Sequence, residues 1–227
     1  DLVSQMVYEF PKLQGIMGKE YASRTGESPE VSQAISEHYL PRFSGDDLPE
    51  CLEGSVIAIA DRIDTIIGCF GIGLMPTGSE DPYALRRQAL GIIQIILGKP
   101  LRIPLKEIMD RAINELKDKI NRKPAEVLED VRLFFRARVQ NLFLSQGYPY
   151  DLIEAVLTGE LEDLVITKKK LDALVKFRER TDFKTLMVGF KRVINILRDR
   201  DAEPLDPSLL KEDAEKNLYS SYVQVME

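Results

Sequence analysis

The chain has 227 residues, of which 44% are hydrophobic and 30% are charged, with a formal net charge of −6. This length is enough for one large domain or two small ones with a packed core, and no apolar run approaches the about 20 residues that span a bilayer. Cys51 and Cys69 lack metal-ligand spacing, so we expect a reduced, cytoplasmic setting and no membrane partner.

Apolar residues recur at intervals of three and four almost throughout the chain, which predicts an all-α fold. Ser28 and Pro29 predict a helix that ends near Tyr39. An Asp81 cap followed by Pro82 predicts a helix that continues to Leu97. The other predicted helices cover residues 52–70, 104–121, 127–145, 150–158, 161–180, 182–199 and 211–224.

Two breaks, each with a glycine followed two residues later by a proline, suggest a division of the chain into three parts. Gly98-Lys99-Pro100 and Gly147-Tyr148-Pro149 interrupt the helical pattern. We therefore predict a helical domain at 1–100, a connecting helical segment at 101–148 and a helical module at 149–227 that the chain end truncates.

Charge is distributed unevenly. Residues 1–100 carry 8 basic and 14 acidic side chains, whereas residues 101–200 carry 21 and 16. Basic charge is densest over 168–200, and a local field of this sign attracts phosphate groups. A solvated helix face is the alternative interpretation of such a charge run.

The stretch EHYLPRF, residues 37–43, contains the only histidine, His38. Asp61 and Asp64 lie three residues apart on one helical face, so together with His38 they are conceivable ligands of a hard cation. A structural histidine that is hydrogen-bonded to a carboxylate is the favoured alternative. No serine or cysteine nucleophile has an evident base.

The stretch PTGSEDPYALRR, residues 76–87, contains no phosphate-loop pattern. We expect Asp81 to occupy the helix start where an anion would otherwise bind. Arg86 and Arg87 either contact a phosphate or pair with acidic neighbours such as Glu80, and pairing is favoured.

Lysine and arginine side chains cluster on the last predicted helices, where they are placed to follow an RNA backbone. The candidate RNA-binding residues are Lys168, Lys169, Lys170, Lys184, Lys191, Arg192 and Arg198. Tyr148, Tyr150 and Phe177 are candidates for base stacking, although Phe177 fits a core position better.

EFPKLQGIMGKEY, EHYLPRF and PTGSEDPYALRR occur in this order, and together they resemble the bacterial glycyl-tRNA synthetase beta subunit. The resemblance implies an internal fragment with a degenerate HD-like helical domain, followed by helical modules that lead into an anticodon-binding-type bundle. HD phosphohydrolases need a His-Asp dipeptide, which this chain lacks. Asp1, His38 and either Asp61 or Asp64 would be what remains of that metal site.

The resemblance also implies the partners. The fragment would bind tRNA-Gly, with FKRVINI, residues 190–196, as the best match to the anticodon-binding module. It would work with an alpha subunit that carries the active site and uses ATP and Mg. No cofactor or metal is expected in the fragment itself, and no DNA partner. A metal-dependent phosphohydrolase of the HD type and a purely structural interaction scaffold are the alternatives.

Overall fold

The computed structural model describes residues 1, 4–99, 101–159, 161, 163–197 and 206–226, and within them the chain is α-helical. In this part of the chain an isolated bridge between Thr77 and Glu80 is the sole β-type pairing, so the all-α prediction is confirmed. The helices are α1 (Gln5–Glu9), α2 (Ile16–Thr25), α3 (Pro29–Glu37), α4 (Leu52–Gly71), α5 (Leu85–Gly98), α6 (Leu105–Leu116), α7 (Pro124–Ser145), α8 (Tyr150–Leu157), α9 (Leu164–Arg178), α10 (Phe183–Leu197) and α11 (Asp213–Met226), with 3-10 turns at Pro11–Leu13 and Pro207–Leu209.

Helix α4 is the centre of the packing, with α3, α5, α6 and α7 against it. The spacing of three and four predicts one apolar face for this helix, formed by Leu52, Val56, Ile59, Ile63, Ile66 and Phe70, and the last four of these residues are buried. Burying a side chain of this size stabilises the fold by about 1.5–3 kcal/mol. Leu52 and Val56, the first two residues of this face, are instead exposed, and Val56 lines a groove between α4 and α6.

Helix α7 crosses this core with a buried residue at nearly every fourth position. The buried set is Val127, Val131, Phe135, Val139 and Phe143. Beside this row, the ring centres of Phe134 and Phe70 lie 5.1 Å apart, a contact that joins α7 to the C-terminal end of α4. In a helix with 3.6 residues per turn, a spacing of four advances by about 40° at each step, so this row winds around α7. Helix α7 accordingly contacts α4, α5, α6 and α8.

The chain forms two compact units, Asp1–Arg178 and Glu179–Glu227. The first contains α1 to α9, and the second contains α10 and α11 among its described residues. The division at residues 100 and 148 stays a prediction, although contacts such as α5 with α9 and α4 with α7 join helices from all three predicted parts. In the part of the chain that the structure describes, no helix is long and apolar enough to cross a membrane.

Helix α5 begins at Leu85, three residues after the predicted start at Pro82. Asp81 still caps it, since its carboxylate oxygens accept hydrogen bonds from the backbone N–H groups of Leu85 (2.7 Å) and Arg86 (2.9 Å). The intervening residues form a turn, in which the N–H of Ala84 donates to the carbonyl oxygen of Asp81 and Ala84 has a left-handed φ of 53°. The cap therefore reaches the helix across a turn.

Candidate nucleic-acid interface

The segment EHYLPRF is held in place by a buried arginine on α4. Arg62 is 7% exposed, and its guanidinium donates to the carbonyl oxygens of His38 (3.0 Å), Tyr39 and Leu40 (both 2.9 Å) and Pro41 (3.2 Å). These carbonyls follow the C-terminus of α3, where a positive charge is favoured by the helix dipole. Burial lowers the pKa of Arg62, and the carbonyl oxygens provide its hydrogen-bonding partners.

Glu37 connects the same segment to the start of α4. Its carboxylate is buried and accepts hydrogen bonds from the side-chain amide of Gln33 and from the backbone N–H of Cys51 at 2.9 Å. Burial opposes the charged form, but these hydrogen bonds outweigh it and lower the pKa of Glu37. Glu37 and Arg62 therefore both hold EHYLPRF in place through contacts with backbone groups, which gives the segment a structural role.

Asp1, His38 and Tyr39 line one open cavity of about 570 Å³ against α2. The Asp1 carboxylate accepts from the N–H groups of Gly15 (2.6 Å) and Gly18 (2.8 Å), at the start of α2. The Nδ1 atom of His38 lies 2.8 Å from the carbonyl oxygen of Ile35. The hydrogen-bond partner of His38 is therefore a backbone carbonyl, whereas the sequence analysis expected a carboxylate.

Asp61 and Asp64 do not join His38 in a single site. Asp64 lines the separate groove between α4 and α6. Asp61 instead acts on Tyr39, whose pKa is raised mainly by burial and also by the negative charge of Asp61. Among the described residues, no three His, Cys, Asp or Glu side chains come close enough together to hold a metal ion. The described residues therefore do not form a site that fits the metal of an HD phosphohydrolase.

Arg86 holds the loop that precedes α5. Its guanidinium donates to the carbonyl oxygens of Gly78 (2.8 Å) and Glu80 (3.4 Å). The predicted pairing with the acidic side chain of Glu80 is thus replaced by a bond to its backbone. Arg87 is exposed on the next position of α5.

The three lysines at the start of α9 differ in environment. Lys168 donates to both carboxylate oxygens of Asp172 (2.9 and 3.1 Å) and to the hydroxyl of Tyr148, and it lies 4.6 Å from the centre of the Tyr148 ring. Burial disfavours its charge, but these hydrogen bonds outweigh burial and raise the pKa of Lys168. Lys169 and Lys170 are exposed. This geometry gives Lys168 a packing role and leaves its two neighbours facing solvent.

In the second unit, α10 carries three of the predicted basic residues on its surface. Lys184, Lys191 and Arg192 are all exposed, and Arg198 lies outside the described residues. The apolar residues between them, such as Phe190 and Ile194, are also largely exposed within this unit. Of the three predicted stacking residues, Tyr150 is exposed at the start of α8, Tyr148 packs edge-on against Phe143 at 5.9 Å, and Phe177 is half-buried on α9.

Comparison with known proteins identifies the family. A sequence profile described as "Glycyl-tRNA synthetase beta subunit" matches residues 1–158. The chain belongs to the glycyl-tRNA synthetase beta subunit family. Relatives named glycine–tRNA ligase beta subunit share 50% identity in Geobacter sulfurreducens, 48% in Geotalea daltonii and 46% in Syntrophus aciditrophicus, over 98–99% of this chain.

This chain of the glycyl-tRNA synthetase beta subunit family spans about one third of the length of these relatives, 32–33%. The resemblance drawn from the three sequence strings is confirmed. The sequence did not indicate the role of Arg62, because the carbonyls that it binds lie 21 to 24 residues earlier in the chain. The available signal in the sequence was an arginine at a position flanked by the apolar residues Ile59, Ile63 and Ile66 of the same helix.

Proposed function

We propose that this chain is the part of a glycine–tRNA ligase beta subunit that binds tRNA-Gly and holds it for glycylation. The observation that carries the proposal is the similarity to beta subunits along 98–99% of the chain. In this proposal, the ligase works in the cytoplasm and uses ATP and Mg at an active site on an alpha subunit. The chain described here supplies a helical scaffold and a basic surface and makes no bonds itself.

The exposed cations of α9 and α10 support the tRNA-binding part of the proposal. Lys169 and Lys170 on α9, and Lys184, Lys191 and Arg192 on α10, are exposed. Cations of this kind neutralise backbone phosphates and release counterions, so binding weakens steeply as salt is added. Each phosphate contact contributes about 0.7–0.9 to the slope of log affinity against log salt concentration.

A binding titration tests this proposal. The natural full-length chain, with any subunit that co-purifies, is titrated with tRNA-Gly and with a non-cognate tRNA at two salt concentrations. We expect salt-sensitive binding that prefers tRNA-Gly. Binding of neither tRNA would contradict the proposal and favour a purely structural scaffold.

Charge reversal then locates the surface. The double variant K191E/R192E should weaken tRNA binding by at least tenfold. It should also reduce the slope of log affinity against log salt concentration by about 1.4–1.8, as expected for two lost phosphate contacts. The matched control, K211E/K216E, reverses two exposed lysines in the same unit and should change the affinity much less. If the two double variants lost the same tRNA affinity, the effect would come from the net charge of the protein, and α10 would not be the binding surface.

A further inference from the structure

The loop between α4 and α5 exposes apolar side chains around a small cavity. Leu74, Met75 and Tyr83 are all exposed to solvent, and all three line this cavity. The cavity has a volume of about 200 Å³, and all its lining residues fall within 74–85. Apolar side chains that are grouped at the surface mark binding sites, whereas scattered ones do not.

Several bonds hold this loop in one arrangement although it lies at the surface. Thr77 and Glu80 pair through two backbone hydrogen bonds of 3.1 and 2.7 Å. Arg86 donates to two backbone carbonyl oxygens of the loop, at 2.8 and 3.4 Å. The guanidinium of Arg122, between α6 and α7, lies 3.6 Å from the sulfur of Met75. A cavity that is formed before its ligand arrives costs less conformational entropy on binding, so these bonds favour a binding role.

The lining of the cavity combines flat apolar surfaces with a free hydrogen-bond acceptor. The rings of Tyr83, Pro76 and Pro82 supply the flat surfaces. The carboxylate of Asp81 is occupied by backbone N–H groups at the start of α5. The carboxylate of Glu80 has no hydrogen bond or ion pair with the part of the chain that the structure describes, so it is available to a ligand.

Volume and lining together indicate a ligand of about the size of one nucleobase. Cavities for drug-sized ligands have volumes of about 300–1,000 Å³, so a cavity of about 200 Å³ takes a smaller group. An apolar side chain of a protein partner would fill the space but would bring no donor for Glu80. A base stacked on Tyr83 would use both features, since unpaired RNA bases are recognised by aromatic stacking and by hydrogen bonds to their edges.

We propose that this cavity binds an unpaired RNA nucleotide whose base carries an exocyclic amino group, as cytosine does. The base would stack on Tyr83 and donate its amino hydrogens to Glu80, the pairing that carboxylates make with the N4 amino group of cytosine. The positive charge of Arg86, which the loop carbonyls hold in place, would offset the repulsion between Glu80 and the RNA backbone. The proposal rests on the proposed function, namely that the chain binds tRNA, and it adds a base contact to the phosphate contacts proposed for α9 and α10.

The first experiment titrates the natural full-length chain with cytidine monophosphate and with uridine monophosphate. At C4 of the base, cytosine has an amino group, whereas uracil has a carbonyl oxygen that Glu80 would repel. In protein labelled with ¹³C in its methionine methyl groups, cytidine monophosphate should shift the Met75 resonance saturably, with a midpoint about tenfold below that of uridine monophosphate. The Met109 resonance is the control and should not move, since Met109 lines a separate cavity between α6 and α7. E80Q should bring the two midpoints together, because an amide both donates and accepts.

The second experiment measures the affinity for tRNA-Gly. Y83A should weaken binding about tenfold without changing the slope of log affinity against log salt concentration, because stacking on a ring releases no counterions. Y83F keeps the ring and should bind within about twofold of the parent. Both variants should melt like the parent, since Tyr83 is exposed. An equal loss of affinity in Y83A and Y83F would contradict stacking.

The two experiments separate the base site from the proposed function. An unmoved Met75 resonance, or equal midpoints for the two nucleotides in the parent, would overturn the base site. Salt-sensitive binding of tRNA-Gly by the same protein would leave the proposed function standing. Failure of the parent to bind tRNA, with Met75 still shifted selectively by cytidine monophosphate, would overturn the proposed function and support the site.

Discussion

Arg62 on α4 donates a hydrogen bond of 2.9 Å to the carbonyl oxygen of Leu40, in the segment that follows α3. The same guanidinium lies beside Gly91 of α5, where an added Cβ would stand 3.1 Å from its Nε atom. Arg62 thus fills the space between three parts of the first unit and satisfies backbone groups that would otherwise be buried without partners. The stability of this unit should depend on it strongly.

Replacing Arg62 with methionine should lower the free energy of unfolding by about 3 kcal/mol, because the carbonyls of residues 38–41 lose their donor. Urea unfolding followed by circular dichroism measures this loss. The matched control is R24M, since Arg24 is 80% exposed and lies 3.6 Å from Glu20, so its loss should cost under about 0.5 kcal/mol. Equal stability of the two variants would show that water replaces Arg62 without cost.

Two glycines of α4 should respond in opposite directions to alanine. At Gly71 an added Cβ would stand 2.1 Å from Cγ2 of Ile120, so G71A should destabilise the fold by about 1–3 kcal/mol through overpacking. At Gly68 the nearest atom is Cδ1 of Leu116 at 3.8 Å, and G68A should be neutral or stabilise by up to about 1 kcal/mol through helix propensity. Thermal unfolding of both variants checks the sign of each change. A similar effect at the two positions would contradict the packing argument.

The start of α5 shows where sequence reasoning reaches its limit. Asp81 followed by Pro82 has the local pattern of a cap and a first helical residue, and it predicted the right capping residue. The helix nevertheless begins at Leu85, because the chain first makes a turn through Ala84 and Asp81 bonds amides four and five residues later. Periodicity, together with the cap signals at Ser28 and Asp81, predicted the helices from α3 to α11, since both kinds of signal depend on local sequence alone.

The candidate site was less predictable, since it depends on contacts between helices. Lys168, Lys169 and Lys170 are equivalent in sequence, yet Lys168 alone meets Tyr148, twenty residues earlier. Likewise, helical spacing placed Asp61 and Asp64 on one face, but it could not show that Asp64 faces the groove between α4 and α6 while His38 lines another cavity. Distances between helices are set by packing of the whole unit, which spacing along the chain does not encode.

The Arg42–Asp46 pair gives a prediction for acid pH. The Arg42 side chain, at 2.9 Å, and its backbone N–H, at 2.8 Å, hold the pKa of Asp46 down from 3.8 to about 2. Because the folded-state pKa is depressed, the contribution of Asp46 to stability is present above 3.8 and is lost as the pH falls towards 2. Carboxyl ¹³C NMR should give a midpoint near 2 for Asp46. R42Q should raise that midpoint, but the remaining backbone hydrogen bond should keep it below 3.8.

A stability measurement on D46N provides the complementary check. This variant should be less stable than the parent at neutral pH, and the difference should shrink as the pH falls through the same range, since protonation removes the advantage of the aspartate. A difference that stays constant with pH would mean that the ion pair does not act through the ionisation of Asp46.

Lys168 should be required for stability, whereas Lys169 and Lys170 should be required for RNA binding. Lys168 bonds Asp172 and Tyr148, and the aromatic ring adds a cation–π contact. K168M should therefore lower the free energy of unfolding by about 1 kcal/mol and leave the affinity for tRNA-Gly within about twofold of the parent, since a paired cation is a poor phosphate ligand. The double variant K169Q/K170Q should leave the melting temperature unchanged and reduce the salt slope of tRNA binding by about 1.4–1.8.

Y148F is the matched control for this division of roles. It removes the hydroxyl that is hydrogen-bonded to both Lys168 and Asp172 but keeps the ring, so it should reproduce part of the stability loss of K168M without any effect on tRNA affinity. Calorimetric melting and a salt series of tRNA titrations on all three variants separate the two properties. If K168M weakened tRNA binding as much as K169Q/K170Q while melting like the parent, Lys168 would instead contact RNA, and its pairing with Asp172 would be broken in the complex.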